Sequence, residues 1–80
     1  MARVVVDVML KPEILDPQGQ AVANALPSLG VDGVTAVRIG KRIEIDFAGD
    51  PDIEQARQIA DKLLANPVIE TFTIRTESQL

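Results

Sequence analysis

Eighty residues, 46% of them hydrophobic and 25% charged, are too apolar for a disordered segment and enough for one small domain. Eight Lys+Arg against twelve Asp+Glu leave a net charge of −4, which repels a phosphate backbone, and Phe47 and Phe72 are too few aromatics to stack bases. With no Cys and no His, the chain has no thiolate nucleophile, imidazole base, disulfide or ordinary zinc site.

The apolar run at Val4-Val5-Val6 stops at Asp7, so the N-terminus does not read as a signal peptide, and no stretch is long enough to span a bilayer. A cytoplasmic setting, with neither nucleic acid nor membrane as partner, is the expectation.

In chain order, residues 4–10 alternate, with Val4, Val6, Val8 and Leu10 on one face and Val5, Asp7 and Met9 on the other. This is the period of a half-buried strand. Lys11-Pro12 breaks it. Asp16-Pro17 then supplies an N-cap acceptor and a proline at the first helical position. Val22, Ala25, Leu26 and Leu29 follow at helical spacing, and Gly30 offers a left-handed C-terminal residue. Pro27 lacks the amide of the last turn and predicts a kink or a 3₁₀ ending.

Val34–Ile39 and Ile43–Phe47 read as two strands around Gly40-Lys41-Arg42. Val37, Ile39, Ile43, Ile45 and Phe47 share a face only if the connection holds an odd number of residues, so a three-residue loop pairing 39 with 43, or a bulge, is expected. Asp50-Pro51 repeats the cap-and-proline signal, and Ile53, Ala56, Ile59, Ala60, Leu63 and Leu64 form a wide stripe for a second helix ending at Asn66-Pro67. The last strand, 68–75, is expected to bury Val68, Phe72 and Ile74, with a polar tail over 76–80.

The order βαββαβ, closed by right-handed crossovers, predicts an α+β two-layer sandwich of ferredoxin-like connectivity. Two helices cover one face of a four-stranded antiparallel sheet within a single domain, 1–80. The first and last strands are then neighbours. The uncovered face would gather Val5 and Met9 near Ile69, which are the candidates for an oligomer interface.

Candidates for chemistry are few. Arg38, Lys41 and Arg42 flank Gly40 and could attract an anion, yet no phosphate-loop glycine pattern accompanies them, and a solvated hairpin tip explains them as well. Asp50, Asp52 and Glu54 read better as charges on the positive end of the second helix than as magnesium ligands. Gly19, inside a helix, disfavours it by about 1 kcal/mol relative to alanine and points to a close contact. No catalytic, cofactor or metal residue is indicated. These residues alone stop at a small acidic α+β domain that oligomerises.

The stretches Leu15-Asp16-Pro17-Gln18-Gly19, Val37-Arg38-Ile39-Gly40-Lys41 and Lys62-Leu63-Leu64-Ala65-Asn66-Pro67-Val68-Ile69-Glu70, with Leu10-Lys11 and Ala21-Val22, carry more. Over nearly the full length the chain resembles the PurS family, the small subunit of bacterial and archaeal phosphoribosylformylglycinamidine (FGAM) synthase; Pro27 is its least typical residue. The resemblance implies a homodimeric bridge in de novo purine synthesis. In that reaction formylglycinamide ribonucleotide, ATP and glutamine give FGAM. A glutaminase subunit, PurQ, releases ammonia and a synthetase subunit, PurL, holds ATP and magnesium and adds the ammonia. No cofactor is expected in the small subunit, which belongs to an ATP-dependent ligase complex without being catalytic alone. On this basis Asp16, Gln18, Gly19, Arg38, Gly40, Lys41 and Asn66 are the candidate partner contacts.

Two other classes fit the architecture. One is a dimeric ferredoxin-like regulatory module that binds a small molecule. The other is an acyl-phosphate hydrolase, which needs an anion-cradling loop after the first strand; Lys11-Pro12-Glu13-Ile14-Leu15 has an acid there and no glycine.

Overall fold

The computed structural model describes residues 2–76. β1 (Ala2–Leu10) leads to α1 (Pro17–Ala25), a 3₁₀ turn (Leu26–Leu29), β2 (Gly40–Phe47), α2 (Ile53–Ile59), a π-helical turn (Ala60–Leu64) and β3 (Glu70–Thr76). The strands make one antiparallel sheet in the order β2-β1-β3. The first and last strands are therefore neighbours, as the order of the elements implied. Of the polar tail, only Thr76 lies among the described residues.

β1 is the centre because both its faces are covered. Val4, Val6 and Val8 are buried with Ala60, and Ile43, Ile45, Phe72 and Ile74 pack around that cluster. Each buried valine contributes about 1.5–2 kcal/mol of transfer free energy. The register sets Val4 opposite Ile45 and Thr76, and Val6 opposite Ile43 and Ile74, so the middle of one face of the three strands is apolar.

The other face is charged. Arg3 donates to Asp46 at 2.9 Å and lies 3.8 Å from Glu44, Arg42 meets Glu44 at 3.1 Å, and Arg75 donates to Asp7 at 2.7 Å. Val5 sits between Glu44 and Arg75 in the register and is wholly buried, so the apolar patch expected from Val5, Met9 and Ile69 does not form as an open surface. Met9 is 37% exposed above Gly40, and Ile69 is half-buried. Arg75→Ala is expected to lower stability by about 0.5–1 kcal/mol, since the pair it breaks is only partly exposed, and the loss should shrink in 1 M salt; chemical denaturation at two ionic strengths checks this.

The helix ends follow their local chemistry, with three corrections. α1 gives way at Leu26 to a 3₁₀ turn containing Pro27, and Gly30 closes it at φ 81°, as the proline and glycine require. The second helix is capped by Asp52, not Asp50: its carboxylate accepts the Gln55 amide at 3.0 Å. The π turn, closed by Ala65 N–H to the Ala60 carbonyl at 2.9 Å, widens the helix by one residue, so Leu63, expected in the buried stripe, is 80% exposed while Leu64 packs inward. Val68, expected to be buried in the last strand, is 75% exposed because residues 66–69 form a turn and β3 starts at Glu70.

The largest correction concerns the fourth strand. Residues 34–39 join no ladder in this chain, the Gly40-Lys41-Arg42 turn is absent, and those three residues instead open β2 opposite Met9, Val8 and Asp7. The sheet of the described residues has three strands, not four. An unbroken extended chain places Val37, Ile39, Ile43, Ile45 and Phe47 on one face just as an odd hairpin loop does. Running straight also brings Arg38 and Ile39 to hydrogen-bond partners in the 10–16 segment.

Candidate functional site

The region between the end of β1, the start of α1 and residues 35–38 encloses a cleft of about 380 Å³ lined by Pro12, Ile14, Asp16, Gln20, Val37 and Arg38, among others. Two side chains hold it together. Asp16, 5% exposed, caps α1 by accepting the Gly19 amide at 2.9 Å with one oxygen, and accepts the Ile39 amide at 2.7 Å with the other. Arg38 donates to the carbonyls of Lys11 at 2.9 Å, Ile14 at 3.1 Å and Leu10 at 3.4 Å. The acid thus satisfies donors and the guanidinium satisfies acceptors across the same junction.

Gly19 completes the junction by its lack of a side chain. A Cβ there would overlap the Val37 carbonyl oxygen and press on the Asp16 carboxylate, so α1 can lie this close to the extended segment only with glycine. Gly40 answers to the same constraint on the sheet. A Cβ would overlap the Val8 carbonyl and the Met9 sulfur.

The Gly19 and Ile39 amides hold the Asp16 carboxyl below its ordinary value of 3.8, against partial desolvation and with help from the Arg38 charge. Asp46 is lowered too, chiefly by its hydrogen bond from Arg3. Both groups therefore contribute stability that is complete above about pH 4 and is lost as pH falls through their folded pKa values. Acid unfolding followed by circular dichroism should accordingly begin at higher pH in Asp16→Asn than in the parent chain.

The seven candidate partner contacts divide by location. Asp16, Gly19, Arg38 and Gly40 serve the junction or the sheet just described. Gln18 is exposed on the first turn of α1, and Lys41 is exposed at the start of β2. Asn66 lies at the other end of α2: its side chain accepts the Val68 amide at 3.1 Å, its carbonyl accepts the Glu70 amide at 2.7 Å, and its own amide donates to the Glu70 carboxylate at 2.7 Å. Sequence reasoning missed Glu70 as the partner that closes this turn. It also missed that the Leu10, Lys11 and Ile14 carbonyls receive Arg38, since a backbone acceptor leaves no trace in residue identity.

Exposed apolar side chains gather away from the sheet. Val22, Leu29, Val31 and Val34 are 41–74% exposed along α1 and the segment after it, and Leu63 and Val68 stand at the end of α2. α1 makes no extensive contact with any strand.

The family model PurS, described as phosphoribosylformylglycinamidine (FGAM) synthase, matches residues 3–78. The chain belongs to the PurS family. A FGAM synthase subunit PurS of Mycobacterium leprae is 56% identical over 99% of this chain and 100% of its own length. The crystal structure of Bacillus subtilis PurS superposes with a TM-score of 0.83 at 43% identity, covering 96% of this chain and 99% of that one. PurS of Methanocaldococcus jannaschii, described as one of the subunits of formylglycinamide ribonucleotide amidotransferase in the purine biosynthetic pathway, gives 0.84 at 34% identity, with 96% of each chain covered. The PurS family is thus an α+β fold whose members are FGAM synthase subunits of purine biosynthesis, and this chain spans essentially the whole of those relatives. No helix among the described residues is long and apolar enough to cross a membrane.

Proposed function

We propose that this chain is the non-catalytic bridge of a cytoplasmic FGAM synthase complex, docking a PurQ-type glutaminase onto a PurL-type synthetase so that ammonia passes between them. The observation that carries this reading is the end-to-end family match, joined to a structure in which the buried carboxylate of Asp16 and the guanidinium of Arg38 are both committed to backbone partners. ATP and magnesium belong to the synthetase in this scheme, and the small subunit holds no cofactor. Its contribution is geometric: free ammonia is lost to solvent or protonated, and holding two sites together replaces diffusion by confined transfer.

The reading includes self-association into a dimer or larger. A compact chain of 8.6 kDa exposes about 4,700 Å², whereas this one exposes 5595 Å². Its radius of gyration is 15.7 Å where about 12 Å is usual for eighty residues. An isolated copy with its α1 stripe in water is therefore incompletely buried, and a second copy supplies the missing cover. Gln18, Lys41 and Asn66, exposed at separate places, remain the polar contacts proposed for the larger subunits, with Arg38 and Gly40 beside Lys41.

The test is product formation by matching PurL-type and PurQ-type subunits with and without this protein, driven either by glutamine or by ammonium. Glutamine-driven turnover should fall at least tenfold when the protein is left out, and ammonium-driven turnover should change little. Equal indifference of both rates would reject the bridging role.

A further inference from the structure

We infer that the outer edge of β3 takes up a strand from one of the larger subunits: an extended segment with an apolar and an acidic residue two positions apart, which pairs with the backbone of Phe72 and Ile74 and fills the groove between β3 and α2. The inference rests on the bridging role proposed above, and names the surface and the chemistry of one of its contacts.

The first observation is an unguarded edge. In the order β2-β1-β3, β3 pairs with β1 alone. Lys11 N–H donates to the Ile69 carbonyl at 2.8 Å, so that carbonyl faces β1, and alternation along the strand turns the backbone groups of 71, 73 and 75 toward β1 and those of 70, 72 and 74 outward. The Glu70 amide agrees, since it turns away from β1 to the Asn66 carbonyl. Phe72 and Ile74 thus present N–H and C=O groups that have no backbone partner among the described residues. Sheet edges are ordinarily blunted by a proline, a bulge or a charge. β3 has no proline, its register with β1 runs one to one, and residues 71–74, Thr-Phe-Thr-Ile, are uncharged and favour strands. Its two charged side chains are engaged elsewhere, Glu70 with the Asn66 amide and Arg75 with Asp7.

The second observation is the groove beside that edge. A hollow of about 430 Å³ opens between Ile53 and Arg57 of α2 and Phe72 and Ile74 of β3. A second, of about 240 Å³, shares Arg57 and Phe72 with it and is walled further by Gln58, Asp61 and Lys62. Phe72 and Ile74 pack against the core cluster yet are only half-buried, so their outer surfaces line this groove. A strand added to β3 lays alternate side chains over it. One beside Ile74 meets Ile53 and is apolar. The next on the same face, beside Phe72, lies between Arg57 and Lys62.

The third observation is charge. In a chain of net charge −4, this groove is lined by two cations, Arg57 and Lys62, and one acid, Asp61. Among the described residues Arg57 has only a loose ion pair, 3.9 Å from the exposed Glu54, and Lys62 has none. An acidic side chain complements them. A second copy of this chain does not: pairing β3 with β3 about a two-fold axis would set Arg57 and Lys62 against their own images.

The test is amide hydrogen exchange of the isotope-labelled chain, alone and with matching PurL-type and PurQ-type subunits, read by NMR after quenching and dissociation. Phe72 and Ile74 should exchange freely in the chain alone and about tenfold or more slowly in the complex. Arg57→Glu/Lys62→Glu, with circular dichroism unchanged, should bind the larger subunits about tenfold more weakly in co-sedimentation. Unprotected Phe72 and Ile74 in a complex that forms and sustains glutamine-driven turnover overturn the docked strand and leave the bridge standing. Protection already present in the chain alone, and rising with its concentration, overturns it in favour of a second copy. Undiminished binding by the double variant overturns the acidic contact. No complex with either subunit overturns the bridge and the docked strand together. If the double variant fails to fold, the exchange result on the parent chain decides.

Discussion

Gly19→Ala lowers the stability of this protein by about 3–4 kcal/mol, against the gain of up to about 1 kcal/mol that the same change gives at an ordinary helix position. Gly19 has no positive φ, so backbone freedom is not the reason for it. The reason is space: an added Cβ collides with the Val37 carbonyl, a backbone atom that cannot rotate away as a flexible side chain would. Either α1 must tilt or the extended segment must retreat, and each movement breaks the bonds from Gly19 and Ile39 to Asp16. Gly49→Ala is the control, since nothing lies within 4 Å of its would-be Cβ. Urea denaturation of the three proteins checks the order, with Gly49→Ala at the parent midpoint and Gly19→Ala far below it. Equal midpoints for the two variants would show that the helix and the segment are not held in this contact.

Asp16→Ala is the second large effect, a fall in melting temperature on the order of 10 °C. The substitution leaves the Gly19 and Ile39 amides without acceptors at a position only 5% exposed, and a buried donor deprived of its partner costs more than the bond itself had contributed. Asp16→Asn should fall between the parent and alanine. One amide oxygen can accept from one of the two donors, while the NH₂ group turned toward the other meets a second donor. Since Asp16 and Gly19 act at one junction, the double variant should lose less than the two single losses added together. Differential scanning calorimetry of the parent, the three single variants and the double variant measures all of these, and full additivity would mean that the two residues act on separate parts of the fold.

Both predictions concern a junction only half visible in the sequence. Asp16-Pro17 announces its cap through residue identity alone, because an N-cap acceptor and a first-turn proline act on neighbouring amides. That Asp16 also reaches Ile39, twenty-three residues on, is a long-range contact with no local periodicity to reveal it. The odd glycine in a helix was a legible sign of close approach at Gly19, but it did not say to what. The same division holds at the other end of α2, where Asn66-Pro67 marks the helix stop and Glu70 closes the turn from beyond it.

What the residues by themselves determined is the sheet around β1, the pairing of first with last strand, both helices, the 3₁₀ ending at Pro27 and the family, since all of these rest on alternation, caps, short motifs and the order of elements they imply. Tertiary structure alone decided which Asp caps α2, the π turn that turns Leu63 outward, the charged roof that buries Val5, and the path of residues 34–39. The last is the clearest case. Parity permits both a hairpin and a straight strand, and the choice between them was made by the hydrogen bonds that Asp16 and Arg38 form only when the chain runs on without turning.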